Sequence, residues 1–248
     1  MRTKPLVHAL SIGLALCLWE WLARKGLLNV FFTGSPSGIL ASLRGLLAGG
    51  ALPGHALKSL QNLLAGYSLA VIAAVSLGIP AGFSARVYEN IKGYAQWLYA
   101  IPMLVLIPLF ILWFGVGDAA KIAIVFVMAF FTVFIAAMEA AKGADRQLAD
   151  VCRVYRAGRL FTLLYLALPA SAEPIFAGAK LAAGRAVTGM ILGETFGRAE
   201  GLGYLLFHFG ALYSVNDMMA SLVLILALSQ ALFWGITALE RKLIVWKR

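Results

Sequence analysis

The sequence predicts an all-α polytopic membrane protein with about six transmembrane helices, on three observations. Hydrophobic residues fill 62% of the positions and charged residues only 13%, far from the balance of a soluble domain. Mean hydropathy is +0.87. Apolar stretches recur at the length of about 20 residues that a helix needs to cross a ~30 Å hydrocarbon core. They fall near 5–23, 59–84, 95–115, 121–141, 172–194 and 217–239 and use most of the chain, so a single membrane domain over residues 1–248 is expected.

The formal charge of +10 does not point to nucleic acid, because the basic residues sort by membrane side instead of gathering on one soluble face. With the N-terminus inside, the inner segments hold thirteen Lys and Arg, five of them between Lys142 and Arg159. The outer segments hold six, including Arg24, Lys25 and Lys121. That excess places both termini in the cytoplasm. Cys17 lies in a span and Cys152 in an inner loop, so no disulfide joins them. His8, His55 and His208 lack metal-ligand spacing.

The first stretch follows MRTK and ends in WEWLARK with no small-residue cleavage site, which reads as an uncleaved span with interfacial aromatics. Glu20, near its end, is expected to reach the interface. Between the first two spans, Ser35 and Pro36 form an N-cap and first helical position. Ile39, Leu40, Leu43, Leu46 and Leu47 follow at helical spacing, and Gly49-Gly50 ends the run. An amphipathic helix over about 36–49, lying on the outer surface, is expected.

Breakers mark the second and third spans. Gly66, Gly78, Pro80 and Gly82 lie in one, and Pro102 and Pro108 in the other. Proline inside a span frees a carbonyl, tolerated where protein or a wet cavity satisfies it. Pro102 and Pro108 therefore either shape packing or bend the third span around a pathway.

The fifth span, EPIFAGAKLAAGRAVTGMILGETFG, combines small residues four apart with Lys180, Arg185 and Glu194. Small residues allow close backbone approach, and intramembrane charges face protein or water. Lys180 lies close enough to the inner end to snorkel. At 100° per residue Arg185 points nearly opposite Glu194. Both are candidates for the lining of a path or for polar contacts between helices.

No GxxxxGK[ST], GxSxG, HExxH or CxxC occurs. Without a phosphate loop the chain does not hydrolyse ATP by that route, so energy comes from a gradient or another subunit. The inner loop, about 143–169, separates these. Leu148, Val151, Cys152 and Tyr155 share one helical face and Arg146, Arg153 and Arg156 lie elsewhere. A second short helix over about 158–167 is expected to lead to Pro169, where the chain turns into the fifth span. Two protruding helices suit a partner's groove; resting on anionic lipid is the other reading.

Six stretches in order, SPSGILASL, GYSLAVIAAVSLGIPAGF, IPMLVLIPLFILWFGVG, LALP, GAKLAAGRAVTGMILGE and GLGYLL, resemble the permeases of binding-protein-dependent ABC importers. The branch is the one handling nitrate, sulfonates, taurine and related nutrients. The resemblance implies a type I importer-like fold, a second permease subunit (a homodimer rather than a heterodimer), cytoplasmic ABC ATPases that carry ATP-Mg, and an extracytoplasmic substrate-binding protein. It implies no cofactor in this chain, a catalytic site only in the ATPases, the bacterial inner membrane as location, and transport by alternating access. It also implies a coupling loop: counted back from Pro169, the family's Glu-Ala-Ala falls on Asp150, Val151 and Cys152, beside Tyr155. The family's helix-breaking glycine falls on Arg156, with Gly158 two places later, so the break is expected to move or to use another geometry. A gradient-driven carrier or channel, and a non-transporting membrane scaffold, are the rival readings.

Overall fold

The structure is a computed structural model that describes residues 3–143, 151–152 and 154–244. Its described residues form helices and turns without strands. Two compact units divide the chain: residues 1–59 with 199–226, and residues 60–198 with 227–248.

The first unit holds α1 (Thr3–Arg24), α2 (Val30–Thr33), α3 (Pro36–Ala48), α10 (Leu202–Ala211) and parts of α4 (Ala51–Phe83) and α11 (Val215–Leu243). Ser35 caps α3 by accepting from the Gly38 N–H, and Pro36 takes the first turn. There its absent N–H leaves no bond unmade. Glu20 does not simply reach outward. Its carboxylate accepts from the Ser37 N–H at 3.0 Å and from Arg24 Nε at 2.6 Å. A negative charge at the start of α3 satisfies an orphan donor and opposes the helix dipole, which ties α1 to α3. Asn216 Oδ1 accepts from the Ser35 N–H at 3.1 Å, so the start of α11 holds the same corner.

The second unit is built around α7 (Asp118–Lys142). Buried Ile124, Val125, Ala129, Val133, Phe134, Ala137 and Met138 run along it at helical spacing, and α5 (Ala85–Ala100), α6 (Met103–Phe114) and α9 (Leu168–Phe196) pack on it. Glycine sets how closely helices approach. A Cβ on Gly82 of α4 would lie 2.0 Å from the Met138 carbonyl oxygen, and one on Gly178 of α9 would lie 2.5 Å from Ala136 Cβ. Helix backbones at that separation gain dispersion contacts that larger residues prevent.

The third span departs from expectation. Instead of one helix over 95–115, α5 ends at Ala100 and α6 begins at Met103, with 91° between them. Proline disfavours the α region for the residue before it, and Ile101 is accordingly extended at φ −64°, ψ 125°. Pro102 has no N–H to continue the ladder. Pro108, by contrast, sits inside α6 and is exposed, while Met103, Ile107 and Phe110 of that helix bury against Ile124. By length and composition four helices suffice to cross a membrane, five if the bent pair counts as one span. The expected six is not reached among the described residues; α1, 22 residues long, stands outside that set.

Pro169 also behaves differently. The chain does not turn there. α8 (Arg159–Thr162), a π-helical stretch Leu163–Ala167 and α9 form one helix of 37 residues over Leu160–Phe196. In the π stretch the Leu168 N–H donates to the Leu163 carbonyl, five residues back. The register slips one residue before a proline that has no donor to misplace, so the helix continues. The expected short helix over 158–167 is thus the start of the fifth span.

Candidate functional site

Two of the path candidates meet at one cavity. It measures about 640 Å³ and opens at the break between α5 and α6, with Tyr99, Pro102 and Met103 on one side and Met128, Phe131, Arg185 and Leu192 on the other. Arg185 Cζ stands 4.2 Å from the centre of the Tyr99 ring, within the distance at which a ring's negative face attracts a cation. Arg185 is exposed, as are Leu181, Gly184 and Thr188. These four fall at i, i+3, i+4 and i+7, so one face of α9 turns away from α7. Eleven residues separate Arg185 from the end of α9, about 16 Å at 1.5 Å per residue.

Glu194 does not share this cavity. It is fully buried on the opposite face of α9, at 0% exposure, where Lys121 is buried at 1%. A Cβ on Gly193 would lie 3.2 Å from Lys121 Cα, and one on Gly197 would lie 2.9 Å from Lys121 Cε. The two glycines leave the lysine its channel along α9. Lys121 Nζ donates to the Arg198 carbonyl at 3.2 Å, and the Arg198 N–H donates to the Val116 carbonyl at 2.8 Å. Neither Lys121 nor Glu194 lacks a partner. Charges this deeply buried persist only when compensated, so this end of the α7–α9 pair is a built polar joint. The sequence places Lys121 among outer-segment charges; its burial follows from α9 lying against the first turn of α7. The nearest hint is the Gly193–Gly197 spacing.

Lys180 also has a partner. Its Nζ lies 2.5 Å from Glu240 Oε2 and 6.0 Å from the Phe233 ring centre, joining α9 to α11. A cluster absent from the sequence reading lies where α7 ends. Tyr88, 1% exposed, donates through its hydroxyl to Glu139 at 2.8 Å. Lys142 Nζ stands 3.6 Å from the centre of the same ring and 3.0 Å from Glu89 Oε1. It holds α5 to the last turns of α7, just before the inner loop. Its partners lie 50 or so residues apart in sequence, so no local pattern announces it.

Of the loop residues, Asp150 lies outside the described residues. Val151 is 50% exposed and Tyr155 82%; Cys152 is partly exposed, and Gly158 is exposed. The helix break does not move. Arg156 itself takes the left-handed conformation at φ +51°, and the Ala157 N–H donates to the Cys152 carbonyl at 2.8 Å. A bond from the second residue past the cap to a carbonyl five residues back, across a left-handed residue, is a Schellman helix ending. Arginine stands where glycine is usual.

Among the described residues the fold is helical, with four helices, or five with the bent pair, long and apolar enough to cross a membrane. Comparison with known families makes the class definite. The chain belongs to the family of binding-protein-dependent transport system inner membrane components, whose model matches residues 66–245. It is therefore an ABC transporter permease subunit. Among curated relatives, it is 28% identical over 232 residues to a putative aliphatic sulfonates transport permease of Bacillus subtilis, covering 94% of this chain and 84% of that one. It is 28% identical over 261 residues to a putative ABC transporter permease of Methanocaldococcus jannaschii, covering 100% and 95%. The taurine transport system permease of Escherichia coli is 26% identical over 246 residues, covering 96% and 89%.

Proposed function

We propose that the chain is the membrane-spanning subunit of an ATP-driven importer that takes in a small sulfonate-like nutrient by alternating access. The observation that carries the reading is Arg185, a charge exposed on a helix long and apolar enough to cross a membrane, beside the α5–α6 cavity. Left against lipid, such a charge costs at least about 2.5–3.5 kcal/mol. A path filled with water, or the facing surface of a second permease copy, removes that cost. The sulfonate and taurine permeases among the relatives supply the substrate class.

In this reading two copies of the chain flank the path in the inner membrane, with both termini in the cytoplasm and an external binding protein delivering substrate. Cytoplasmic ATPases hold ATP-Mg. They grip the loop of Asp150, Val151, Cys152, Tyr155, Arg156 and Gly158, and the helix leading to Pro169 carries the stroke into α9. Exposed Val154, Tyr155, Leu160 and Tyr165 supply an apolar contact surface there, of the kind that enters a partner's groove. The Tyr88–Glu139–Lys142 cluster passes movement of the loop to α5 and so to the break at Pro102.

Reconstitution in proteoliposomes tests this. Uptake of a labelled alkanesulfonate should require ATP, the ATPase and the binding protein together, and this chain alone should hydrolyse no ATP. Uptake by the chain alone without ATP would establish a gradient-driven carrier instead, and assembly without any uptake would leave a scaffold.

A further inference from the structure

The cavity at the α5–α6 break is mostly apolar. Met103, Met128, Phe131 and Leu192 line it, and among its lining residues Arg185 alone carries a charge. Among the described residues no carboxylate pairs with Arg185; what it meets is the Tyr99 ring, 4.2 Å away. A guanidinium that meets a ring, with no carboxylate paired to it, keeps N–H donors available. Their fork matches two oxygens of one acid group. The volume of about 640 Å³ lies within the range of sites that enclose small ligands, and such sites pair apolar walls with a few polar groups that fix orientation.

From this we infer that the permease itself holds a binding site for a small organic anion with an apolar tail. The acid group sits on Arg185 and the tail against Met103, Met128 and Phe131. A fully hydrated inorganic anion would use the guanidinium and leave the apolar walls wet; a neutral molecule would leave the guanidinium without an acceptor. Tyr99 is the positioning residue, since its ring lies 4.2 Å from the Arg185 guanidinium carbon. The inference rests on the transport reading of the same face, and adds that the path selects by charge after the binding protein has delivered its load.

The test uses the complete permease–ATPase complex in nanodiscs, without the binding protein, and equilibrium binding of radiolabelled butane-1-sulfonate. Saturable binding, displaced by butanoate but not by butan-1-ol, is expected. Arg185→Gln should weaken it at least about tenfold, because a charge-assisted bidentate pair is lost. Arg185→Lys and Tyr99→Leu should each weaken it several-fold, the first losing the fork and the second its support. Absence of saturable anion binding to the unmodified complex overturns the inference, as does binding that all three variants leave unchanged. Should Arg185→Gln fail to assemble, Arg185→Lys and Tyr99→Leu decide by the same criterion. ATP-driven uptake, measured separately with the binding protein added, keeps the two readings apart. Uptake without binding at the cavity removes this site and leaves the importer, whereas binding without ATP-driven uptake removes the importer.

Discussion

Replacing Arg156 by glycine should strengthen the inner loop, although arginine is the larger residue. At φ +51° its Cβ crowds the following carbonyl, which costs an L-residue about 1–2 kcal/mol. Glycine escapes that cost but brings more freedom to the unfolded chain, returning about 0.4–1 kcal/mol. The Arg156 side chain is exposed, so little packing is lost with it. The balance is a gain of about 0.5–1 kcal/mol in holding the helix ending closed. The Ala157 N–H, bonded to the Cys152 carbonyl, reports that opening directly. Hydrogen exchange at Ala157 in the assembled complex should slow about two- to fivefold in Arg156→Gly. Arg156→Val, β-branched in the same conformation, should speed it. Equal or faster exchange in Arg156→Gly would refute the claim that the loop stores strain at this residue.

Lys121→Met should lower complex yield and apparent melting temperature by several degrees, since removing one buried charge leaves the others poorly compensated. Adding Glu194→Met should recover part of the loss if the two groups are coupled, and none if they are independent. Gly82→Ala should prevent assembly, because its Cβ would meet the Met138 carbonyl oxygen at 2.0 Å and neither backbone can yield cheaply; gel filtration reads the result. Tyr155→Ala, at a side chain 82% exposed, should leave yield intact yet weaken ATPase association about tenfold, as loss of an aromatic anchor does; retained association would remove Tyr155 from the coupling surface. Tyr88→Phe should uncouple hydrolysis from uptake if the cluster transmits movement, seen as a lower ratio of substrate moved per ATP.

Local chemistry determined much of this protein. Apolar length alone marks the helices through α4, α7, α9 and α11 as long enough to cross a membrane. Ser35 and Pro36 announce the start of α3 because capping depends on neighbouring residues only. The 100° step per residue is enough to set Arg185 and Glu194 on opposite faces of α9. Pro102 shows that something breaks near residue 101. Where an outcome depended on which distant groups come together, the sequence was silent. Proline removes a donor and restricts its neighbour, but whether the chain then kinks, breaks by 91° or slips through a π turn depends on the packing around it. Lys121 looks like an interfacial charge until α9, stripped of side chains at Gly193 and Gly197, lies against it. Arg156 looks like a misplaced glycine until the backbone places it left-handed. Helix formation is decided by bonds between near neighbours, which the order of residues states directly. Burial of a charge, the depth of a bend and the pairing of Arg185 with Tyr99 are decided between segments far apart in the chain, and only tertiary packing brings those together.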